Sequence, residues 1–308
     1  MKVCFLGLGS IGKKHLLNLQ KICTEKKIET EIHAYRSKKI KVELAGLNKQ
    51  IFVKENLDND YDVVFITNPT SLHYETIKLM SSKTKHMFIE KPVFDTISYS
   101  VENLKLNKGI YYVAAPLRHT GIIEKLVELL DNSQVYSVRS ICSSYLPDWR
   151  PDTDYRKNYS AKKELGGGVS IDLIHEWDYL TYLFNFPIKI YNLQGKFSHL
   201  EISSEDLSVY IAEYNDKIIE LHLDYFGRRP KREMEIYTNK NVIIADFINK
   251  NIQIETKDNV KTINLSNMED FYLREMRYFI EMITLGGKNI NTVEHAYQVL
   301  KLIKEAKQ

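Results

Sequence analysis

Gly7-Leu8-Gly9-Ser10-Ile11-Gly12 follows an apolar run at 3–6 and opens a helical pattern at 13–26. The spacing is GxGxxG, weak by itself and informative only between a strand and a helix. In that setting Gly7 permits the tight turn, Gly9 lets a pyrophosphate approach the backbone, and Gly12 lets the helix pack on the strand. The free N–H groups at the start of such a helix, with Ser10 and Ile11 in its first turn, suit an anionic ligand. Working outward, further strand-like runs lie at 31–35, 63–67, 87–89 and 111–114, and helical periodicity at 72–82 and 99–106. Strands alternating with helices predict a doubly wound parallel sheet, a Rossmann domain at 1–117.

The rhythm changes beyond 117. A helical segment at 122–130 leads into alternating runs at 136–144, 189–197, 207–214, 218–225, 232–237 and 242–247. Turn signals at Asn215-Asp216 and Asn239-Lys240-Asn241 join neighbouring runs as hairpins. Two helices, at 269–283 and 293–304, close the chain. The fold class expected is therefore α/β plus α+β, with 118–308 forming a second domain on a mostly antiparallel open sheet. Such a sheet is expected to meet another copy, giving a homodimer or homotetramer.

Composition narrows the functional classes. The 308 residues are 44% hydrophobic and 27% charged, a soluble globular balance. Forty-three basic residues against 40 acidic ones are too even for a polyanion-binding surface, so no nucleic acid is expected. Cys4, Cys23 and Cys142 are widely spaced, which suggests neither a disulfide framework nor a zinc site. His175-Glu176 begins an HExxH pattern that Tyr179 does not complete, so no metal is expected. No apolar run approaches the ~18 residues of a membrane span, and Met1 leads directly into the first strand, so a cytoplasmic location is expected.

Several residues suggest chemistry. The second strand ends at Arg36-Ser37-Lys38-Lys39, where an NAD site usually presents an acid to the adenosine ribose. A guanidinium with a serine and a lysine suits a 2′-phosphate, so NADP is favoured over NAD. Asp172 and His175 are three apart on an expected helix at 169–180, with Tyr179 on the same face. A carboxylate beside an imidazole orients it and stabilises its protonated form, as a general acid or base requires. The aromatic and basic connection at 145–157 contains Trp149, suited to a sugar face, and Arg156, suited to a carboxylate or phosphate. Gly227-Arg228-Arg229-Pro230-Lys231-Arg232 gathers four cations around an expected turn, open to an anionic substrate, a neighbouring subunit or solvent.

Met87-Phe88-Ile89-Glu90-Lys91-Pro92 puts an acid, a lysine and a proline at the end of an expected parallel strand. Together with the Gly7–Gly12 turn, Thr67-Asn68-Pro69-Thr70 with His73, and Gly166-Gly167-Gly168 followed by Asp172 and His175, this order of motifs resembles the Gfo/Idh/MocA oxidoreductases over essentially the whole chain. The resemblance implies that Lys91 stands beside the nicotinamide and the reacting hydroxyl, with Glu90, Asn68, Pro69, Thr70 and His73 at the cofactor. It implies that Lys91, Arg118, Asp172 and His175 face the substrate. An ammonium beside the substrate oxygen stabilises developing alkoxide charge, in agreement with that role. In many relatives the aspartate and histidine are four apart rather than three, and the shorter spacing resembles a branch associated with surface-polysaccharide and sugar-acid biosynthesis. The expectation is an NAD(P)-dependent enzyme transferring hydride between nicotinamide and a hydroxyl or keto carbon of a sugar, sugar acid or sugar nucleotide. The rivals are a redox-neutral lyase, epimerase or glycosidase with a retained NAD(P), and a non-catalytic dinucleotide sensor.

Overall fold

The computed structural model describes residues 1–37, 43–106 and 109–306. Its chain divides into two compact units, Met1–Pro116 with Glu269–Leu300, and Leu117–Met268 with Lys301–Gln308.

The first unit is built on β1 (Lys2–Leu6), β2 (Glu31–Tyr35), β3 (Lys49–Ile51), β4 (Tyr61–Ile66), β5 (Thr84–Ile89) and β6 (Tyr111–Val113), all parallel in the order β3-β2-β1-β4-β5-β6. Between strands run α1 (Ser10–Glu25) and α2 (His73–Met80). The central strands carry near-continuous apolar runs because helices cover both faces of a parallel sheet. Phe5 stacks on Phe65 at 4.5 Å and Phe65 on Phe88 at 5.2 Å, one aromatic row across β1, β4 and β5. The short β3 falls below the length at which alternation is readable.

The expected helix at 99–106 is reduced to a 3-10 turn at Glu102–Leu104. The carbonyls of Ile97 and Tyr99 both accept from the Tyr297 hydroxyl, and Tyr99 stacks on Tyr74 at 4.2 Å. With the Ser100 carbonyl accepting from the Tyr74 hydroxyl, side chains thus take two backbone acceptors, at Tyr99 and Ser100, that a helix would have used.

The second unit begins with α3 (Gly121–Leu130) and β7 (Val135–Tyr145), followed by α4 (Val169–Asp172) and α5 (Ile174–Phe184). The strands β8 (Lys189–Gly195), β9 (Leu207–Glu213), β10 (Ile218–Asp224), β11 (Phe226–Thr238), β12 (Val242–Asp246), β13 (Asn251–Glu255) and β14 (Val260–Asn264) complete an eight-stranded sheet. Its order is β14-β13-β12-β11-β7-β10-β9-β8, antiparallel except for the parallel pair β10–β7. Tyr210, Ala212, Ile219, Leu221 and Leu223 are buried on one face, which α4 meets at β9 and β10. On the other, Tyr191, Ile211, Glu220, Arg139 and Glu235 form one cross-strand row, and the two apolar members are exposed.

The last helices are α6 (Phe271–Leu285) and α7 (Val293–Lys304). The division differs here from the expected 118–308. Helix α6 lays Leu273, Met276, Phe279, Ile280 and Met282 into the same core as Phe5, Phe65 and Phe88, so 269–300 belongs with the first unit. Among the described residues no helix is long and apolar enough to cross a membrane.

Candidate active site

In the first unit the expected cofactor residues gather at the carboxyl ends of β1, β2, β4 and β5, where ligands of open α/β sheets bind. Gly7 adopts φ +104, and a side chain there would meet the Asn68 backbone at 2.9 Å. At Gly12 a Cβ would stand 2.6 Å from the Gly7 carbonyl, so α1 could not approach the turn. Around Gly9 there is open space, and among the described residues no side chain caps α1, so its first N–H groups at Ser10 and Ile11 suit a ligand. This cradle fits a dinucleotide pyrophosphate.

Asn68 adds a second sign. Its Nδ2 donates to Thr76 Oγ1 at 2.8 Å, while its buried Oδ1 has no hydrogen-bond partner among the described residues. A buried carbonyl oxygen without a donor is costly unless a ligand supplies one. Pro69 is exposed and Thr70 half-buried in the following 3-10 turn. Arg36 directly follows β2, half-buried, with a guanidinium nitrogen 3.1 Å from Gln50 Oε1, and Ser37 beside it is exposed. Lys38 and Lys39 lie outside the described residues.

His73 has a different setting from the one expected. It is buried, with Nδ1 3.2 Å from the Val93 carbonyl and Nε2 3.0 Å from the Asn68 carbonyl. The ring ties the loop after β4 to the loop after β5. Burial pushes its pKa down, against the hydrogen bonds to Asn68 and Val93 and the charge of Glu90.

Glu90-Lys91-Pro92 follows β5 directly, with the Lys91–Pro92 peptide cis. Glu90 is buried, its Oε1 2.5 Å from His15 Nε2 and its Oε2 accepting from the Lys91 N–H at 3.2 Å. Burial alone would raise the Glu90 pKa. The hydrogen bond from His15 and the charges of His15, Lys91 and His73 outweigh it and hold the carboxyl below its ordinary value. His15 was not among the residues singled out by sequence, although its place on the buried stripe Gly12, His15, Leu16, Leu19 was readable.

In the second unit the expected single helix at 169–180 is broken at Leu173, which separates α4 from α5. Asp172 and His175 therefore do not share one helical face. Asp172 Oδ2 accepts from the Tyr225 hydroxyl at 2.6 Å, and the half-buried His175 has Nε2 3.4 Å from an Arg232 guanidinium nitrogen. Arg232 in turn lies 3.0 Å from the buried Glu176. Burial raises the Glu176 pKa, and the Arg232 charge and the Tyr179 hydrogen bond pull against it. Tyr179 is a core residue, its hydroxyl on Glu176 and its ring stacked on Phe247. Burial, then the Asp172 charge and hydrogen bond, push the Tyr225 phenol far above its ordinary pKa, so it remains a donor.

Trp149 is exposed, packs edge-on against Tyr225 at 5.3 Å and donates to Ser144 Oγ. It thus stands beside the Asp172–Tyr225 pair. Arg156 is tied to Asp154 at 2.8 Å and Glu201 at 3.1 Å, so its charge is met within the protein. Arg118, expected at the substrate, points inward: its Nε and Nη2 grip Asp178 at 2.9 and 2.7 Å, and it lies over Tyr182. That pairing makes it a structural element of the second unit.

Arg228 is the residue of the basic turn whose setting stands out. The β7–β11 register shifts between Phe226 and Lys231, so 227–230 bulge from the ladder. Asp224 holds the bulge, its Oδ1 accepting from Gly227 N at 2.8 Å, Phe226 N at 3.1 Å and Ser143 Oγ at 3.0 Å. Arg228 lies 3.8 Å over the Tyr145 ring with His199 as its hydrogen-bond partner, and has no carboxylate partner among the described residues.

Two family models together match most of the chain. Residues 1–109 match the Gfo/Idh/MocA oxidoreductase family, NAD-binding Rossmann fold, and residues 127–308 match its C-terminal alpha/beta domain. The chain belongs to the Gfo/Idh/MocA oxidoreductase family. It is 22% identical to a myo-inositol 2-dehydrogenase of Thermotoga maritima, over 93% of this chain and 89% of that protein. An uncharacterized oxidoreductase of Bacillus subtilis, YrbE, is also 22% identical over 98% of this chain and 92% of its own length. Among solved structures, levoglucosan dehydrogenase in complex with NADH and levoglucosan superposes with a TM-score of 0.81 at 18% identity, covering 99% of this chain and 95% of that one. UDP-N-acetylglucosamine 3-dehydrogenase from Acidithiobacillus ferrooxidans gives 0.78 at 16% identity, covering 100% and 96%. At such identities the structural likeness concerns the fold. Membership of the Gfo/Idh/MocA family makes the chain an oxidoreductase with an NAD-binding Rossmann unit.

Proposed function

We propose that this protein is an NAD(P)-dependent dehydrogenase or reductase of a sugar, sugar acid or sugar nucleotide, of the kind used in building surface glycans. The observation that carries the reading is the placing of Lys91, immediately after β5, on the same sheet edge as the Gly7–Gly12 cradle and the orphaned Asn68 oxygen. Relatives named for xylose, myo-inositol and levoglucosan support a carbohydrate substrate. When bound, the nicotinamide dinucleotide supplies hydride exchange at the substrate carbon.

The chain's own residues do the rest. The turn and the first N–H groups of α1 hold the pyrophosphate, and Arg36 with Ser37 receives the adenosine ribose, favouring NADP. Lys91 places its ammonium at the substrate oxygen and stabilises alkoxide charge. His175 exchanges the hydroxyl proton, a step worth ~100- to 10,000-fold. Arg232 presents a cation to its Nε2, and Asp172, with Tyr225 and Trp149, forms a substrate-binding surface. The exposed Tyr191 and Ile211 on the open sheet support a homodimer or homotetramer, and the three buried free cysteines accord with a cytoplasmic location.

The test begins with titration by NADH and NADPH, then a carbohydrate panel assayed by cofactor absorbance. NADPH is expected to bind more tightly, and Lys91→Met to abolish turnover while leaving dinucleotide affinity within about twofold. Turnover unchanged in Lys91→Met would refute the role of Lys91. A dinucleotide retained through purification, with no net change in its redox state on turnover, would establish a redox-neutral lyase or epimerase instead.

A further inference from the structure

Histidine on the apolar stripe of a helix must have a partner or accept a desolvation cost. His15 is fully buried on α1, its ring 4.7 Å from Phe88 and 6.4 Å from Phe65. Its Nδ1 has no hydrogen-bond partner among the described residues, and its Nε2 lies 2.5 Å from Glu90 Oε1. A hydrogen on Nε2 satisfies the carboxylate, and one on Nδ1 would be a buried donor facing hydrocarbon. The hydrogen-bond network therefore places a hydrogen on Nε2. The other Glu90 oxygen accepts from the backbone N–H of Lys91. A single carboxylate thus joins the helix that opens at the glycine turn to the peptide carrying Lys91.

We propose that His15 is a positioning residue for the redox reaction, acting through Glu90 to hold Lys91 in place. The proposal rests on the role given to Lys91 above. Glu90 is a buried anion next to a cationic residue. With His15 donating to one oxygen and the Lys91 N–H to the other, both of its oxygens are occupied. Remove the imidazole and the carboxylate has lost a donor it cannot recover from the surrounding Phe65 and Phe88 rings. The Lys91 ammonium, whose charge already acts on Glu90, can take that place, and an ion pair with Glu90 would withdraw it from the substrate oxygen. His15 therefore sets whether Lys91 serves the substrate or its own neighbour.

His15→Leu removes the donor, and His15→Gln keeps an N–H able to reach Glu90. His15→Leu is expected to lower kcat at least about tenfold, with KM and dinucleotide Kd changed less than about twofold, and His15→Gln to restore most of the loss. A purely structural histidine would instead lower the thermal midpoint and leave the kcat of the folded enzyme intact. Lys91→Met, assayed alongside, separates the two readings. If it stays active, the role of Lys91 fails; if it is dead while folded His15→Leu turns over like wild type, the His15 inference fails alone. NMR of the wild-type protein with nitrogen-labelled histidine needs no variant. It is expected to show His15 protonated at Nε2, with a signal that shifts in Glu90→Gln, and an Nε2 without hydrogen would overturn the proposal.

Discussion

Arg228 illustrates how a single residue's meaning depends on its surroundings. Read as sequence, it was one of four cations at a turn, with substrate, subunit and solvent all open to it. In the structure the neighbouring Arg232 is drawn to Glu176, Lys231 pairs with Glu233 at 2.9 Å, and Arg228 is left over an aromatic ring with no acid partner among the described residues. A cation of this kind, close to Tyr145, is expected to favour the acidic members of the proposed substrate class. Arg228→Met is expected to raise KM for carboxylated or phosphorylated sugars about tenfold, the size of one charge-assisted hydrogen bond, and to leave neutral sugars within about twofold. Equal KM changes for both classes would show that Arg228 does not read charge. Arg118 is the opposite case. Its position suggested a substrate contact, and nothing in the local sequence announces that Asp178, sixty residues away, takes its guanidinium.

That pair belongs to the scale of elements, because it ties the turn after β6 to α5. The Arg118 side chain is fully buried and that of Asp178 nearly so. Removing one partner strands a buried charge, so Arg118→Met is expected to lower stability by about 3–5 kcal/mol in chemical denaturation. The double variant Arg118→Met with Asp178→Leu should recover much of that loss. A single variant within about 1 kcal/mol of wild type would mean that the pair contributes little. Elements with long, regular patterns were legible: the parallel strands, α1, and the hairpins of the second sheet. Strands β13 and β14 alternate and are joined around Asp258-Asn259, a hairpin signal that the sequence also carries. The break at Leu173 and the loss of a helix at 99–106 left no such trace. The carbonyls near Tyr99 are claimed by Tyr297, some two hundred residues downstream, and no local propensity reports a distant competitor.

Across the whole molecule, buried carboxylates set the response to acid. Burial would raise the Asp224 pKa, but hydrogen bonds from His222, Ser143 and the Phe226 and Gly227 amides bring it below its ordinary value, and Glu90 is lowered by His15. Groups with lowered folded-state pKa add stability that is complete above their ordinary range, near about pH 4, and lost as pH falls through the lowered values. Glu176 works in the opposite sense, since its raised pKa favours folding with a protonated carboxyl. The thermal midpoint is expected to decline below about pH 4, and Asp224→Asn to start lower at neutral pH, decline less steeply and converge with wild type in acid. Parallel curves would show that Asp224 does not contribute in this way. The sequence by itself determined what depends on chain-local periodicity and turn chemistry: a parallel sheet led by GxGxxG, a second antiparallel sheet, and the motifs that point to a dinucleotide and Lys91. Tertiary structure alone decided which charged groups are paired, that α6 completes the first core, and that His15 and Arg232 stand behind the residues proposed to act. Burial and long-range pairing follow from which surfaces meet in space, and sequence spacing carries no record of that.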